Sequence, residues 1–345
     1  MERINLFGKT VAELQSLCVI EGFPKYAARQ MCDWLYAKNV DGIDQMTNLS
    51  LKARRRLNEI AEVKKAMPKE CQVSRDGTKK YLFTVGENSN APMFVETVFI
   101  PDGVRGTLCV SCQVGCKMGC RFCVTGKQGF RSNLGTAEIL NQIFSIPEFT
   151  RLTNIVYMGM GEPFDNYDAV MRSIEVLTSN WGLGWSPHRI TVSSVGILPM
   201  VEPFLHDCDC HLAISLHNPV PQERLAIMPM QKAYPITDVV NVLKRYDWSG
   251  QRRLSFEYTM FSGLNDNLGH AEALKRLLGN LHCRVNLIRF HSSPDTPFRP
   301  SSAMAMMRFQ EYLNNHGIRC TIRASRGEDI MAACGLLAGK ESKVQ

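Results

Sequence analysis

Three cysteines within eight residues constrain this chain more than any other feature. They lie in Cys116-Lys-Met-Gly-Cys120-Arg-Phe-Cys123, with the spacing C-x3-C-x2-C. One short loop with three thiolates can surround a corner of a 4Fe-4S cluster, which needs four ligands, and it leaves one iron open for a small molecule. The alternative is a structural zinc site, which takes four N or S ligands, usually in two spaced pairs. Because no matching second pair lies nearby, the spacing favours the cluster.

Composition indicates where such thiols would work. The chain has 345 residues, 45% of them hydrophobic, and 13 cysteines. No apolar run suggests a signal peptide or a membrane span. We therefore predict a cytoplasmic protein without membrane association, whose cysteines bind metal or react rather than form a disulfide framework. The net charge of +7 is compatible with a nucleic-acid partner but is weak evidence for one.

The first hundred residues divide into two segments. Helical periodicity at 11–17, 25–36 and 51–60 predicts a small helical accessory domain over residues 1–65. Cations are frequent from the third predicted helix into the following segment, at Lys52, Arg54, Arg55, Arg56, Lys64, Lys65, Lys69, Lys79 and Lys80. They indicate an RNA-binding module, with a solvated helix face as the alternative. Residues 66–100 form a β-rich connecting segment, with strands expected at 80–85 and 94–100.

Strands and helices alternate regularly over residues 101–345. Strands are expected at 107–112, 153–158, 189–194, 211–216, 254–260 and 284–290. Helices are expected at 136–144, 167–180, 197–205, 235–246, 270–279 and 302–315. This alternation predicts the α/β class, with a parallel sheet curved into a partial (β/α)6 barrel. Catalytic groups of such barrels come from the C-terminal ends of the strands.

Polar residues follow these strand ends one after another. Gly161 and Glu162 follow the second strand, where glycine permits close approach to a ligand and the carboxylate could bind an ammonium group. Ser193 lies on the third strand, Ser215 and His217 end the fourth, and His291 follows the sixth. Each has an ordinary structural alternative, such as a turn or a hydroxyl bonded to backbone. Their recurrence at one edge is hard to explain by core packing.

Two further cysteine groups lie outside the three-cysteine loop. Cys334 lies in a glycine-flanked C-terminal segment and Cys109 on the strand before the loop; such a pair can act as nucleophile and resolver, although a lone buried cysteine is usually inert. We treat Cys112 as a bystander, because a fourth protein ligand would close the open iron. A second candidate metal cluster consists of Cys208, Cys210, His206 and His211, for which packing is the favoured alternative.

At nearly full length the sequence resembles the RlmN/Cfr family of radical S-adenosylmethionine (SAM) methyltransferases. The resemblance rests on residues 5–56 with Met46-Thr-Asn-Leu49, and on residues 95–101, 108–130, 158–163 and 326–339. It implies that Cys116, Cys120 and Cys123 bind a 4Fe-4S cluster. It also implies that two SAM molecules are used per turnover, the first to methylate Cys334 and the second to form a radical that activates the S-methyl group.

The resemblance assigns roles to the remaining residues. The activated carbon adds to an adenine in RNA as a protein–RNA crosslink, which Cys109 resolves through a transient disulfide with Cys334. Glu96 matches the family's proton acceptor. SAM contacts are implied for Gly161, Glu162, Ser193, Ser215, Leu216 and His217. The family usually has Asn at the position of His291, where imidazole could substitute as a donor or the contact could be lost.

The implied substrates are an adenosine in the peptidyl-transferase centre of 23S rRNA and adenosine 37 of some tRNAs. The tail sequence, with Arg326-Gly327 and Leu-Ala-Gly339, favours methylation at carbon 2 of adenine over the carbon-8 methylation of Cfr. We also expect a monomer that takes electrons from a low-potential donor such as flavodoxin. The alternative from another class is a non-catalytic zinc and RNA-binding protein.

Overall fold

The computed structural model describes residues 3–86, 92–292 and 296–339. Its N-terminal part is a small helical unit whose two ends are tied together. The elements are β1 (Ile4–Asn5), α1 (Val11–Ile20), α2 (Tyr26–Cys32), α3 (Leu51–Ile60) and β2 (Ala61–Glu62). β1 and β2 pair in parallel, with Ile4 opposite Ala61. A capping box begins α1, in which Thr10 and Glu13 each accept a hydrogen bond from the other's backbone amide. The three predicted helices are therefore confirmed.

An antiparallel extension leads from the helical unit into the main sheet. It consists of β3 (Glu70–Val73), β4 (Lys79–Val85) and β5 (Met93–Asp102), which continues into β6 (Arg105–Cys109). Each of these strands pairs antiparallel with the next. The two predicted strands of this segment correspond to β4 and β5; the short strand β3 carried no clear sequence signal.

The rest of the described chain alternates strands with helices. The elements after β6 are β7 (Gln113–Gly115), α4 (Val124–Lys127), β8 (Phe130–Asn133), α5 (Thr136–Phe144), β9 (Asn154–Tyr157), α6 (Tyr167–Thr178), β10 (Ile190–Ser194), α7 (Leu198–Asp207), β11 (His211–Ser215), α8 (Pro221–Ile227), α9 (Ile236–Leu243), β12 (Leu254–Met260), α10 (Leu268–Leu278), β13 (Arg284–Arg289), α11 (Ala303–Asn315) and β14 (Arg319–Ile322). The six predicted strands and six predicted helices are all present, with ends that differ by a few residues.

The sheet is mixed. Among the described residues its strand order is β14-β13-β12-β11-β10-β9-β6-β5-β4-β3. The pairs from β6 to β14 are parallel, so the C-terminal ends of these strands share one edge. The α/β class is thus confirmed. β14 adds a parallel strand that the sequence analysis missed, because its burial does not follow the alternation of a half-buried strand.

One strand ends earlier than the sequence predicts. β6 stops at Cys109, not at residue 112. Beyond it, the side-chain amide of Gln142 pairs with the backbone of Ser111, accepting from its N–H at 2.8 Å and donating to its carbonyl at 2.9 Å. These two hydrogen bonds take the place of the backbone hydrogen bonds that a neighbouring strand would make. The chain then turns into the hairpin β7–β8, which encloses the three-cysteine loop.

Aromatic packing joins the helical unit to the sheet layer. The rings of Phe7 and Tyr36 lie 5.5 and 5.9 Å from that of Phe144 in α5. Gly8 comes so close to this helix that a Cβ atom would lie 2.6 Å from the Cα of Ala137. No helix in the described part of the chain is long and apolar enough to span a membrane.

Candidate active site

One cavity of about 190 Å³ collects most of the predicted site residues. It lies at the C-terminal edge of the parallel strands, beneath the C-terminal segment. The predicted residues that line it are Cys109, Cys116, Cys120, Cys123, Gly161, Glu162, Ser193, Ser215, His217 and Cys334. Residues that are up to 225 positions apart in the sequence, from Cys109 to Cys334, therefore meet in one place.

The three-cysteine loop is held at both ends by backbone hydrogen bonds. Cys116 N–H donates to the carbonyl of Gly129 across the β7–β8 hairpin, at 3.1 Å, and Val124 N–H donates to the carbonyl of Gly335, at 2.8 Å. Cys116 and Cys120 are buried and Cys123 is half-buried. Burial raises the pKa of Cys116 to about 12 and raises that of Cys123 as well. Their thiolates are thus unfavourable without a positively charged metal centre beside them.

Gly161 and Glu162 follow β9 in a tight turn. Gly161 has φ +101°, and a Cβ there would lie 2.6 Å from Gln113 Cβ. Glu162 is buried; its Oε1 accepts from Phe164 N–H at 3.1 Å and its Oε2 from Val195 N–H at 2.9 Å. Burial raises the pKa of Glu162 to about 7. A cationic ligand in the cavity would favour the ionised form.

A buried arginine fixes the loop after β11. The guanidinium of Arg224, on α8, donates to the carbonyls of Leu216 (3.0 Å), Val195 (3.2 Å) and Ser215 (3.0 Å). His217 follows with φ +55°, and its Nδ1 accepts from Thr259 N–H at 2.9 Å. Its ring meets that of Phe122 edge-on, with the centroids 4.9 Å apart. The side chain of Leu216 itself is fully buried and does not line the cavity.

Two charged residues that the sequence analysis missed belong to the site. Glu257, on β12, lines the cavity and is buried; its Oε1 accepts from Asn286 at 2.8 Å. Its Oε2 has no hydrogen-bond partner in the described structure and lies 3.6 Å from the Nε of Arg323. Glu257 raises the pKa of Arg323, so this guanidinium stays charged. A carboxylate within the apolar run Leu254-Ser-Phe-Glu-Tyr-Thr-Met260 was the available signal for Glu257.

Hydrogen bonds hold the C-terminal segment, which follows β14, across the cavity. Thr125 Oγ1 donates to the carbonyl of Leu337 at 2.7 Å. Glu96 Oε2 accepts from the amides of Ala338 and Gly339, at 2.6 and 3.0 Å. The carboxylate of Glu96 also pairs with Lys80 at 3.0 Å. Glu96 is buried, does not line the cavity and holds the end of this segment in place.

The segment brings Cys334 to the cavity wall, where the residue as a whole is exposed but its thiol is desolvated. Cys334 is exposed and Cys109 is half-buried, and all 13 cysteines of the chain are free thiols. Desolvation raises the pKa of the Cys334 thiol and raises that of Cys109 to about 12, while the guanidinium of Arg323 opposes both shifts. Both thiols are therefore protonated at neutral pH.

Other predicted residues lie outside the cavity wall. His291 binds the C-terminal segment, through Glu328 (2.6 Å) and Ser325 (3.0 Å). Cys112 also lies outside the wall. The second candidate metal cluster does not form: His211 Nδ1 accepts from Arg253 N–H, and no group of three or more His, Cys, Asp or Glu side chains among the described residues could hold a metal ion.

The residues present fit an iron–sulfur cluster and a polar ligand. The ligands of a cluster bind different irons, so Cys116, Cys120 and Cys123 need not converge on one point as ligands of a single ion do. The Oε2 of Glu257 is a buried acceptor in the same cavity that has an ion pair with Arg323 but no hydrogen bond, and buried polar atoms normally have a hydrogen-bond partner. A ligand with hydrogen-bond donors or a positive charge would supply one.

The parallel sheet and the three-cysteine loop after its first strand define a radical SAM enzyme. In agreement, residues 110–276 match the model of the Radical SAM superfamily. Residues 4–63 match the Ribosomal RNA large subunit methyltransferase N-terminal domain. The chain belongs to the RlmN family of dual-specificity RNA methyltransferases.

Similar proteins support this assignment over almost the whole chain. The probable dual-specificity RNA methyltransferase RlmN of Phocaeicola vulgatus is 55% identical, over 96% of this chain and 94% of the relative. The dual-specificity RNA methyltransferase RlmN of Syntrophus aciditrophicus is 44% identical, over 99% and 98%. The crystal structure of a radical SAM methyltransferase from Sphaerobacter thermophilus superposes with a TM-score of 0.90 at 38% identity, over 98% of this chain and 100% of that one.

Proposed function

We propose that this enzyme methylates carbon 2 of adenosine, in the peptidyl-transferase centre of 23S rRNA and at position 37 of some tRNAs. The observation that carries the proposal is the common cavity of two free thiols, Cys109 and Cys334, and the three-cysteine loop. An enzyme that only needed a radical would use the loop alone. Two additional cysteines at the same cavity support a covalent route, in which the transferred carbon is first bound to sulfur.

The cofactors supply the chemistry that side chains lack. A 4Fe-4S cluster on Cys116, Cys120 and Cys123 would deliver the electron that cleaves SAM to a radical. Gly161, Glu162, Ser193, Ser215 and His217 line the cavity around this position, and we assign them to SAM binding. Glu257 joins this set because it lines the same cavity and its Oε2 has no hydrogen bond. Leu216 would contribute through its backbone, and His291 would act through the C-terminal segment that it binds.

Cys334 would carry the methyl group. Its thiol lies on the segment that covers the cavity, where it would be methylated and then give up a hydrogen from the S-methyl group. The carbon would then bond to carbon 2 of adenine and join Cys334 to the RNA, the hydrogen of carbon 2 leaving as a proton to Glu96 and the unpaired electron returning to the oxidised cluster. Attack by Cys109 on the sulfur of Cys334 would release the product and leave a disulfide. Arg323 lowers the cost of forming either thiolate.

Glu96 is assigned as the proton acceptor. In the described arrangement its carboxylate is occupied by Lys80 and by two amides of the C-terminal segment. Proton transfer therefore requires this segment to shift, which would free Oε2 while the carboxylate stays paired with Lys80.

We also propose that the parallel strands curve into a partial barrel around the cavity. Cys109 on β6 and Ile288 on β13 both line it, although four strands separate β6 from β13 in the sheet order. A flat sheet would hold these two strands far apart, since neighbouring strands are about 4.8 Å apart. The N-terminal helical unit would bind RNA, a low-potential donor such as flavodoxin would reduce the cluster, and the enzyme would act as a monomer.

The test is mass spectrometry of nucleosides from 23S rRNA and tRNA treated anaerobically with reconstituted enzyme, SAM and a reductant. We expect 2-methyladenosine from the native protein and from the control variant Cys71→Ala, whose exposed thiol lies outside the cavity. Cys334→Ala should form no product, because the carbon has no sulfur carrier. Cys109→Ala should accumulate the protein–RNA crosslink. 8-Methyladenosine, or normal turnover by Cys109→Ala, would contradict the proposal.

A further inference from the structure

A row of arginines begins the strands at the edge of the sheet opposite the active site. Arg253 directly precedes β12, Arg284 is the first residue of β13 and Arg319 is the first residue of β14. Arg284 and Arg319 are direct partners in the parallel register. Since neighbouring strands lie about 4.8 Å apart, three guanidinium groups are crowded onto one short stretch of the edge.

These arginines line a hollow of about 780 Å³ that also holds histidines. We call it the basic hollow and define it by Arg253, Arg284, Arg319, His188 and His211. No Asp or Glu lies among its described lining residues. A concave surface with several cations and no carboxylate focuses positive potential.

The three guanidinium groups have no counterion in the described structure. Among the described residues, no ion pair and no hydrogen bond involves the side chain of Arg253, Arg284 or Arg319; Arg253 bonds His211 through its backbone amide only. Burial and then the like charges of Arg253 and Arg319 lower the pKa of Arg284. Like charges on directly opposed strand positions are destabilising. The folded chain therefore maintains an unfavourable arrangement that a bound anion would relieve.

The imidazole of His211 provides a neutral donor beside these charges. His211 Nδ1 accepts from Arg253 N–H at 3.0 Å, which leaves the proton on Nε2. Burial, followed by Arg253 and His188, lowers the pKa of His211 to about 4, so this ring is neutral at pH 7. The ring of His188 stacks on it, with the centroids 5.5 Å apart. Planar guanidinium groups together with ring N–H donors suit phosphate oxygens.

The basic run near the N-terminus is different, because much of its charge is already neutralised. Arg56 pairs with Glu21 and Glu59. Lys65 pairs with Asp41, Lys79 with Glu148 and Lys80 with Glu96. The sequence therefore overstates how much free positive charge the N-terminal run offers. It gave no signal for the basic hollow, because the residues of the hollow come from separate β/α units.

We propose that the basic hollow binds phosphate groups of the substrate RNA backbone, as a second contact at the opposite edge of the sheet from the active site. The proposal rests on the RNA substrate of the proposed function. A large folded RNA can extend past one end of the enzyme, and backbone phosphates supply most of the affinity of such complexes.

The position of the hollow argues against a docking site for an acidic electron donor. β12 separates the two edges of the sheet with seven residues, or roughly 20 Å at about 3.3 Å per residue. Glu257 and Thr259 near one end of β12 line the active-site cavity, and Arg253 lies at the other end. A donor bound at the hollow would be remote from the three-cysteine loop.

The experiment measures RNA affinity of the reconstituted holoenzyme as a function of salt. The test variant is Arg253→Gln/Arg284→Gln/Arg319→Gln. The control, Arg172→Gln/Arg276→Gln/Arg308→Gln, removes the same charge from exposed positions on α6, α10 and α11. With full-length 23S rRNA, the slope of log K against log salt should fall by about 2 to 3 in the test variant and by less than 1 in the control.

Two further measurements make the result specific. A short RNA hairpin around the target adenosine cannot reach both edges of the sheet. The test variant should therefore bind and methylate this hairpin as well as the native enzyme does. Normal methylation of the hairpin would also show that the variant folds. The Arg→Lys triple variant keeps the charge and should keep the slope. Because the slope reports binding only, it is independent of which adenine carbon is methylated.

Three results would overturn the proposal. An unchanged slope with full-length RNA would exclude a backbone contact and leave the hollow to an acidic protein. Binding of inorganic pyrophosphate that is lost in the test variant, together with an unchanged slope, would assign it to a small anion. Equal loss of hairpin binding and long-RNA binding would show that the substitutions act through the active site or the overall charge.

Discussion

Identical side chains acquire different chemistry in this fold. Cys116, Cys120 and Cys123 share a loop and a cavity, while Cys112, four residues before Cys116, is buried outside that cavity wall. Cys334 is exposed at the same cavity and Cys109 is half-buried there. The sequence could group the first three by spacing. It could offer Cys109 and Cys334 as a candidate nucleophile and resolver, and only the resemblance to a family specified a disulfide between them.

The buried His217 should make the free energy of unfolding depend on pH. Burial lowers the pKa of His217 to about 3, whereas an unfolded histidine titrates near 6.5. Between these values the unfolded chain binds a proton that the folded chain excludes, so the free energy of unfolding falls as the pH drops below about 6.5. The share of His217 is about 3 kcal/mol between pH 6.5 and 4.

We expect His217→Asn to remove that share of the acid dependence. The amide oxygen of Asn can accept the hydrogen bond of Thr259 N–H in place of Nδ1, and Asn tolerates a positive φ. Urea unfolding of the native protein and the variant at several pH values measures the difference. Parallel pH curves for the two proteins would show that His217 titrates normally.

At the scale of elements, the C-terminal segment after β14 is held by side chains and not by a sheet. Ser74 Oγ donates to Asp329 Oδ1 at 2.5 Å and Arg75 N–H donates to Oδ2 at 3.1 Å. Asp76 Oδ2 accepts from Gly327 N–H at 3.0 Å. The β3–β4 turn thus anchors the segment that carries Cys334, so the antiparallel extension helps to position the wall of the candidate active site.

Asp329→Ala should loosen this segment without unfolding the sheet. The loss of two hydrogen bonds lowers the cost of local opening, so hydrogen exchange of the amides at 328–336 should accelerate severalfold. Exchange in β10–β12 should stay unchanged. Ser74→Ala should act in the same direction, and Asp238→Ala, an exposed position on α9, serves as the control. Uniform acceleration over the whole chain would show that Asp329 supports global stability instead.

At the scale of the whole molecule, an aromatic contact between the helical unit and α5 joins the N-terminal part to the sheet. Phe144 contacts Phe7, Tyr36 and Phe149. Asn39 Nδ2 adds a hydrogen bond to the carbonyl of Phe144, at 3.1 Å. A small helical unit of about 60 residues buries little surface alone, so its stability depends on this contact.

Phe144→Ala should therefore uncouple the two parts. Truncation of a buried phenylalanine costs about 3 to 5 kcal/mol, and here the loss falls on the contact between them. Native-state hydrogen exchange should show α1 and α2 opening at lower free energy than β10–β12. The matched control is Phe309→Ala, a fully buried ring on α11 that packs on Tyr258; it should destabilise the sheet core. Equal effects of both variants on all elements would contradict this coupling.

The sequence by itself determined the local and periodic features of this protein. The spacing of Cys116, Cys120 and Cys123 fixes which thiols one loop can present, and the alternation of strands and helices fixes a parallel sheet with a shared C-terminal edge. From these two features, Ser193, Ser215, His217 and Glu162 could be placed at one site before the structure was known. Local spacing is sufficient here because neighbouring residues in a loop or strand have nearly fixed relative positions.

Only the tertiary structure decided which distant side chains meet. It set Glu257 and Arg323 beside Cys109 and Cys334, and it placed Glu96 and His291 against the C-terminal segment. It paired four of the nine cations of the N-terminal basic run with carboxylates of the described residues. It also assembled the basic hollow from the starts of separate strands. Such contacts depend on register and packing between elements far apart in the chain, and no short sequence window contains that information.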